Sequence, residues 1–169
     1  MSAPDLETWT RTFRGPLIGL LVSRGASWAE AEELAVDTFA EGWLSWDRFR
    51  ASGDDLGAVG AWLRGIAVNL HGASRRRRRR GPSEELPDEL PTPADPVPDP
   101  RLEALEEAIA RLPQGQQEVV RMRYLEDSAP AHVAALLGIT TKAVERRLHE
   151  ARKKLREHLN RAERIGATR

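Results

Sequence analysis

Between Gly81 and Pro100 the chain carries seven prolines and six acidic residues, with no basic residue and hardly any large apolar one. Proline removes a backbone donor and fixes φ, so no long helix or central strand can run through such a stretch. Its composition cannot bury enough apolar surface to offset the entropy of ordering it. It reads as an extended, mobile linker. On either side, apolar residues recur at helical spacing, which predicts an all-α chain of two small helical domains, residues 1–80 and 101–160. The linker takes 81–100, and 161–169 form a tail that reads as frayed.

The second domain is dominated by Ser128 to Leu159. Pro130 suits the first turn of a helix, where its missing N–H has no intrahelical partner. Val133, Leu136 and Leu137 give that helix an apolar stripe, and Gly138 ends it. After Ile139-Thr140 a second helix repeats apolar residues at Val144, Leu148, Ala151, Leu155 and Leu159. Lys142, Arg146, His149 and Lys153 project to the other side. A steep helix pair joined through glycine is a helix-turn-helix, whose second helix reads base edges from its first turns. The spacing makes Thr140, Thr141, Lys142, Glu145 and Arg146 the candidates for base contact and Arg147, Arg152 and Lys153 the candidates for phosphate. A solvated basic helix in an ordinary bundle fits the same pattern. Two further helices precede the pair, one through Leu102, Leu105, Ile109 and Leu112 and one from about Gln114 to Leu125, giving a four-helix domain.

The first domain reads as three helices. One runs from Leu6 to about Val22, with Trp9, Phe13, Leu17, Leu20 and Leu21 on one side, and is expected to break or bend at Gly15-Pro16. The next starts at a capping box, Ser27 and Glu30, and reaches about Trp46. Its predicted inward side is Ala31, Ala35, Phe39, Trp43 and Trp46. Glu30, Glu33, Asp37 and Glu41 form an acidic stripe. A stripe of this kind is either a solvated face or a dock for a partner with a basic patch. A polar, glycine-rich loop spans Asp47 to Gly60. The third helix, from about Ala58, places Val59, Trp62, Leu63, Ile66, Ala67 and Leu70 on its apolar side and Arg64, Val68, His71 and Arg75 opposite. It then enters six consecutive arginines, Arg75 to Arg80. Such a block is a nucleic-acid contact or a disordered basic tail, and adjacent arginines go all round a helix. The tryptophans, at core spacing, read as packing rather than as a base-stacking platform.

Lysine plus arginine equals aspartate plus glutamate, 26 each, so global charge says nothing about partners. With no cysteine, a disulfide scaffold, a thiolate metal site and a cysteine nucleophile are excluded. His71, His132, His149 and His158 show no metal-binding spacing, and each reads as a surface or helix-flank residue. No phosphate loop or nucleophile elbow occurs. The expectation is a protein that is no enzyme and needs no cofactor. No apolar run spans a bilayer and MSAPDLETWTRTF lacks the blocks of a secretory signal, so a cytoplasmic location is expected.

Four segments, in this order, resemble a bacterial sigma factor of the small extracytoplasmic-function group: AEELAVDTFAEGW (Ala31 to Trp43), AWLRGIAVNL with the following arginines (Ala61 to Arg80), LEEAIARLPQGQQEVVRMRYLED (Leu105 to Asp127) and VAALLGITTKAVERRLHEARKKL (Val133 to Leu155). The resemblance implies a chain that binds core RNA polymerase, directs it to promoter DNA and helps open the duplex, under the control of a separate anti-sigma factor. It implies polymerase docking through Glu33, Leu34, Asp37, Phe39, Glu41 and Trp43. Capture of the melted minus-ten strand is implied for the 47–60 loop with Arg64, Asn69, Arg75, Arg76 and Arg77. Reading of the minus-thirty-five duplex falls to the helix-turn-helix. The sequence departs from the family pattern at Val36, Glu41, Ala73, Pro130 and Glu145. A stand-alone helix-turn-helix regulator with a basic arm is the other reading of the same residues, and an adaptor working through the acidic stripe and the arginine block is a third.

Overall fold

The computed structural model describes residues 5–81 and 99–166. The predicted linker, apart from its ends, lies outside them, as do residues 167–169. Seven α-helices are found among the described residues, and no strand: α1 (Leu6–Ser23), α2 (Trp28–Leu44), α3 (Leu56–Arg79), α4 (Pro100–Ala110), α5 (Gln114–Leu125), α6 (Pro130–Leu137) and α7 (Thr141–Gly166). A 3₁₀ turn, Trp46–Arg48, follows α2.

Most helix starts have a chemical cause. Asp5, Ser27, Asp55 and Asp99 each accept a first-turn amide through the side chain, satisfying one otherwise orphaned donor. Pro100 and Pro130 occupy first helical turns. Gly138, with φ of 66° in the left-handed region, ends α6, a conformation that costs a side-chain-bearing residue much more than glycine.

Helix α1 differs from the sequence expectation in two ways. It runs straight through Pro16 without a break, and its buried residues do not form one stripe: Trp9, Thr12, Phe13, Pro16, Leu17, Ile18, Gly19, Leu20 and Leu21 are all inside. A helix buried on more than one side needs a neighbour on each. Helix α2 covers one side of α1 and α5 another, with α6 also in contact. Helix α3 likewise packs on both α2 and α6. The core is therefore continuous across what the sequence predicts as two domains, from Trp9, Phe13 and Leu63 to Val119, Met122, Leu136 and Leu148.

Trp9, Trp46, Phe49 and Trp62 form an aromatic cluster with centroid separations of 4.8 to 6.0 Å. It folds residues 49–55 back onto the N-terminal helices; the loop expected over 47–60 is shorter, because the 3₁₀ turn takes its start and Asp55 caps α3 from Leu56 onward. Trp9 and Trp46 are core and Trp62 is half-buried against them, in line with their spacing. Trp43 is not core: it is 46% exposed, and the inward side of α2 is carried instead by Ala31, Leu34, Ala35, Thr38, Phe39 and Gly42. The predicted capping box is half formed. Ser27 Oγ accepts from the Glu30 amide, but the Glu30 carboxylate turns to α3, where Ser74 Oγ and Arg78 donate to it. Beyond Asn160 the expected frayed tail is the last stretch of α7, helical to Gly166.

Candidate nucleic-acid and partner interfaces

Three solvent-facing surfaces carry the predicted site residues. The first is the outer side of α2. Glu33, Asp37 and Glu41 are exposed there, as predicted, and Val36, Trp43 and Leu44 stand among them at 64%, 46% and 79% exposure. An apolar centre rimmed by carboxylates is the composition of a docking patch rather than of a plain solvated face. Leu34 and Phe39 require a correction. They lie in the core at 6% and 7% exposure, because their positions fall on the side of α2 that faces the neighbouring helices. They lie behind the exposed patch rather than in it. Glu30 also leaves the predicted stripe, as its bonds to Ser74 and Arg78 show.

The second surface is the C-terminal part of α3. Asn69, Arg75, Arg76 and Arg77 are exposed, and Arg64 is half-buried. The arginines do not act as one face. Consecutive residues turn by 100°, so Arg78 swings back to Glu30 while its neighbours point outward. An open cleft of about 270 Å³ lies between the α1–α2 turn and this end of α3, lined by Arg24, Gly25, Arg75, Arg78 and Arg79. Arg24 had no sequence signal as part of this cluster, since only tertiary packing brings it to the arginine run. His71, expected at the surface, is buried. Burial lowers its pKa below the usual 6.5, and the Arg75 and Arg24 charges push the same way.

The third surface is the outer side of the helix-turn-helix. Thr140 Oγ1 accepts the Ala143 amide at 3.1 Å and so caps α7. Val144, Leu148 and Ala151 anchor one side of α7 in the core, which leaves Thr140, Thr141, Lys142, Glu145 and Arg146 exposed on the other. Thr140, Lys142, Ala143, Glu145, Arg146 and His149 line an open groove of about 500 Å³. The structure thus brings the predicted base-contact set together and adds His149 to it. The predicted phosphate set is divided. Lys153 is free-standing at the surface, whereas Arg152 Nε donates to the Tyr124 hydroxyl at 2.8 Å. The Arg147 guanidinium lies so near α5 that a Cβ on Gly115 would meet it at 3.3 Å. Both are braced against α5, which places a guanidinium at the groove edge with less side-chain freedom to lose on binding.

Among the described residues no group of histidine and acidic side chains is arranged to hold a metal ion, and no helix is long and apolar enough to cross a membrane.

Comparisons with known proteins fall on the same two halves. Residues 9–81 match the family described as Sigma-70 region 2, and residues 102–155 match Sigma-70, region 4. The chain is 30% identical over 146 residues to the ECF RNA polymerase sigma factor RpoE of Cereibacter sphaeroides, covering 84% of this chain and 79% of that one. In three dimensions it is similar to CnrH, solved in complex with the cytosolic domain of CnrY, with 25% identity, a TM-score of 0.53 and coverage of 92% and 87% of the two chains. It shares a fold with RpoE of Bartonella quintana, solved with the anti-sigma factor NepR, at 22% identity and a TM-score of 0.51 over 92% of this chain and 97% of that one.

Proposed function

Because the chain belongs to the sigma-70 family, in its extracytoplasmic-function group, and is a sigma factor that directs core RNA polymerase to promoters and starts transcription there, we propose that this work is divided among its three exposed surfaces. Residues 1–80 dock on polymerase and hold the melted minus-ten strand, residues 101–160 read the minus-thirty-five duplex, and residues 81–100 tether the two. The α2 patch of Glu33, Val36, Asp37, Glu41 and Trp43 meets a basic and apolar surface of polymerase, with Leu34 and Phe39 fixing the helix behind it. Asn69 and Arg75 to Arg77, with Arg64 at the edge, support a displaced strand whose bases turn toward the 49–55 stretch between the 3₁₀ turn and α3. This suits the chemistry of single strands, which need cationic support for the backbone and a pocket for an unstacked base.

Duplex is read differently, by a helix in the major groove. Lys142 and Arg146 offer donors to guanine, Glu145 an acceptor for the cytosine amino group, and Thr140 and Thr141 adaptable hydroxyls. Arg147, Arg152 and Lys153 grip phosphate. The protein has no catalytic step of its own, acts in the cytoplasm at the nucleoid, and is held in check by a separate anti-sigma factor, as its structural relative from Bartonella quintana is found bound to one.

The observation that supports this division most directly is the groove at the start of α7, where the base-contact residues converge on the one side of the helix that the core leaves open. The test is reconstitution with core polymerase on a promoter library. The parent chain is expected to start transcripts from a defined subset, and Asp37→Arg to lose polymerase affinity while the free full-length chain keeps its affinity for promoter duplex. Unchanged polymerase affinity in Asp37→Arg would remove the α2 patch from the reading. Tight, specific duplex binding without any polymerase affinity would replace it with the stand-alone regulator.

A further inference from the structure

The arginines at the end of α3 face two ways. His71, Ser74, Arg75 and Arg78 recur at three- and four-residue spacing, with Arg79 beside them, and share the side of α3 turned toward the α1–α2 turn. Arg76 and Arg77 point elsewhere and line no part of the cleft there. The other bank of that cleft is Arg24, which ends α1, followed by Gly25. Gly25 has a φ of 95°, and a Cβ added to it would meet nothing within 4 Å, so the backbone leaves this bank open. Two elements distant in sequence thus bring four guanidinium groups to one cleft of about 270 Å³.

The charges of the cleft do not balance. Arg78 is paired with Glu30, and Glu118 stands 3.6 Å from Arg24, near enough to attract it and too far for a hydrogen bond. Arg75 and Arg79 are exposed and make no hydrogen bond or ion pair among the described residues. Two uncompensated cations therefore lie beside a third that is loosely held. The excess reaches beneath the surface. Burial lowers the pKa of His71, and the charges of Arg75 and Arg24 lower it further, so one buried ring registers both banks of the cleft. Guanidinium groups gathered without acceptors repel one another, and the donor fork of each matches the oxygens of a phosphoryl group. The volume lies just below the range of about 300 to 1,000 Å³ for small-molecule sites. It suits a short chain of phosphoryl groups rather than a strand with its bases.

We propose that the cleft of Arg24, Arg75 and Arg79 binds a compact oligophosphate, a short chain of phosphoryl groups such as a nucleotide carries, at a site that shares only Arg75 with the set assigned to the melted strand. Arg24 and Arg79 hold phosphoryl oxygens from the two banks, and Arg75 holds them from within the run. Arg78, kept on Glu30, lines the wall without adding net charge. The effect on transcription rests on the sigma-factor reading: Arg75 cannot serve the oligophosphate and the strand together, so filling the cleft weakens minus-ten capture.

The site is tested on the free full-length chain by calorimetric titration with inorganic tripolyphosphate at near-physiological salt. The parent is expected to bind at a single site. Arg24→Ala and Arg79→Ala should each weaken binding about tenfold, and Arg77→Ala, in the same run but outside the cleft, by less than about twofold. All three side chains are exposed, so the variants leave the core intact. His71 gives a second readout: the anion offsets two of the charges that act on it, so its ring resonances should titrate at higher pH with tripolyphosphate than without. A short single-stranded oligodeoxynucleotide should lose affinity in Arg77→Ala and keep it in Arg24→Ala. Equal losses of tripolyphosphate binding in Arg24→Ala and Arg77→Ala overturn the proposal, because they show only the field of the arginine run. Sulfate binding as tightly as tripolyphosphate overturns it too, and so does an oligonucleotide that depends on Arg24, which makes the cleft part of the strand path. None of these results touches the sigma-factor reading, which stands or falls on transcription by the parent. In polymerase holoenzyme, tripolyphosphate should inhibit promoter-specific transcription several-fold more with the parent than with Arg24→Ala. Each is measured against its own uninhibited rate, so that chelation of magnesium is common to both. Equal inhibition overturns the competition for Arg75.

Discussion

Helices α3 and α7 are the longest two among the described residues, at 24 and 26 residues, and both carry their cations on a frame anchored in the core. They use those cations in opposite ways. In α3 the arginines are contiguous, so they radiate around the axis, and Arg78 is turned inward to Glu30 while others face solvent. In α7, Lys142, Arg146, His149 and Lys153 are spaced by three and four, so they share one side and leave Val144, Leu148 and Ala151 to the other. The difference teaches that charge density makes a strong field but no face, whereas spacing makes a face that can meet base edges in register. A run of arginines suits a strand of unspecified sequence; a spaced set suits a duplex of specified sequence.

Four measurements press on that contrast. The largest effects test whether both helices are equally anchored. Leu63 and Leu148 are almost wholly buried, so Leu63→Ala on α3 and Leu148→Ala on α7 should each cost about 2 to 5 kcal/mol in denaturant unfolding. A cost below about 0.5 kcal/mol at Leu148 would make α7 a surface helix resting on nothing. Next comes reading against gripping. Arg146→Ala should lose about 1 to 3 kcal/mol at one base pair of the upstream element and little at others, whereas Arg77→Ala should weaken all sequences alike and reduce the salt slope by about 1. Equal losses across sequences for both would erase the distinction.

A smaller effect concerns the inward-turned arginine. Glu30→Ala removes the acceptor shared by Ser74 and Arg78 and should cost about 1 kcal/mol, with faster amide exchange in the last turns of α3. Arg78→Ala should cost less, because that side chain is mostly exposed. The smallest effect is at His71. Its folded pKa lies below the ordinary 6.5, so the unfolded chain holds the proton more tightly. The stability it contributes is complete above that value and is lost as pH falls below it. The parent should lose melting temperature on acidification from about pH 7 to about pH 5, and His71→Leu should lose less over the same window. Identical slopes would place His71 in contact with water.

The sequence made much of this legible where local rules suffice. The bounds of α5, Gln114 to Leu125, follow from Pro113 and the apolar spacing, and the turn at Gly138 follows from the need for a left-handed residue. The outward set of α7 follows from periodicity alone. What escaped depended on a second neighbour. The apolar residues of α1 fit one stripe on paper, but Gly19 belongs to a face that only α5 explains. His71 reads as polar and outward until α3 is packed on both α2 and α6. Spacing put Trp43 inward and the family resemblance put Leu34 in the docking set, but packing selects by the angle at which a neighbour arrives, and it buries Leu34 and leaves Trp43 out. Arg24 joined the arginine cleft from 51 positions upstream of Arg75, a juxtaposition no local pattern encodes.

The aromatic cluster also sets how the molecule can be watched. All five tryptophans lie before residue 63, and the single tyrosine, Tyr124, lies in the later half. Indole emission is therefore an optical signal from the N-terminal helices alone, with Trp9, Trp46 and Trp62 close enough to share excitation, while the exposed Trp28 and Trp43 respond to whatever approaches them. Quenching of the exposed pair at constant emission from the inner three would register arrival at the α2 patch without any dye attached.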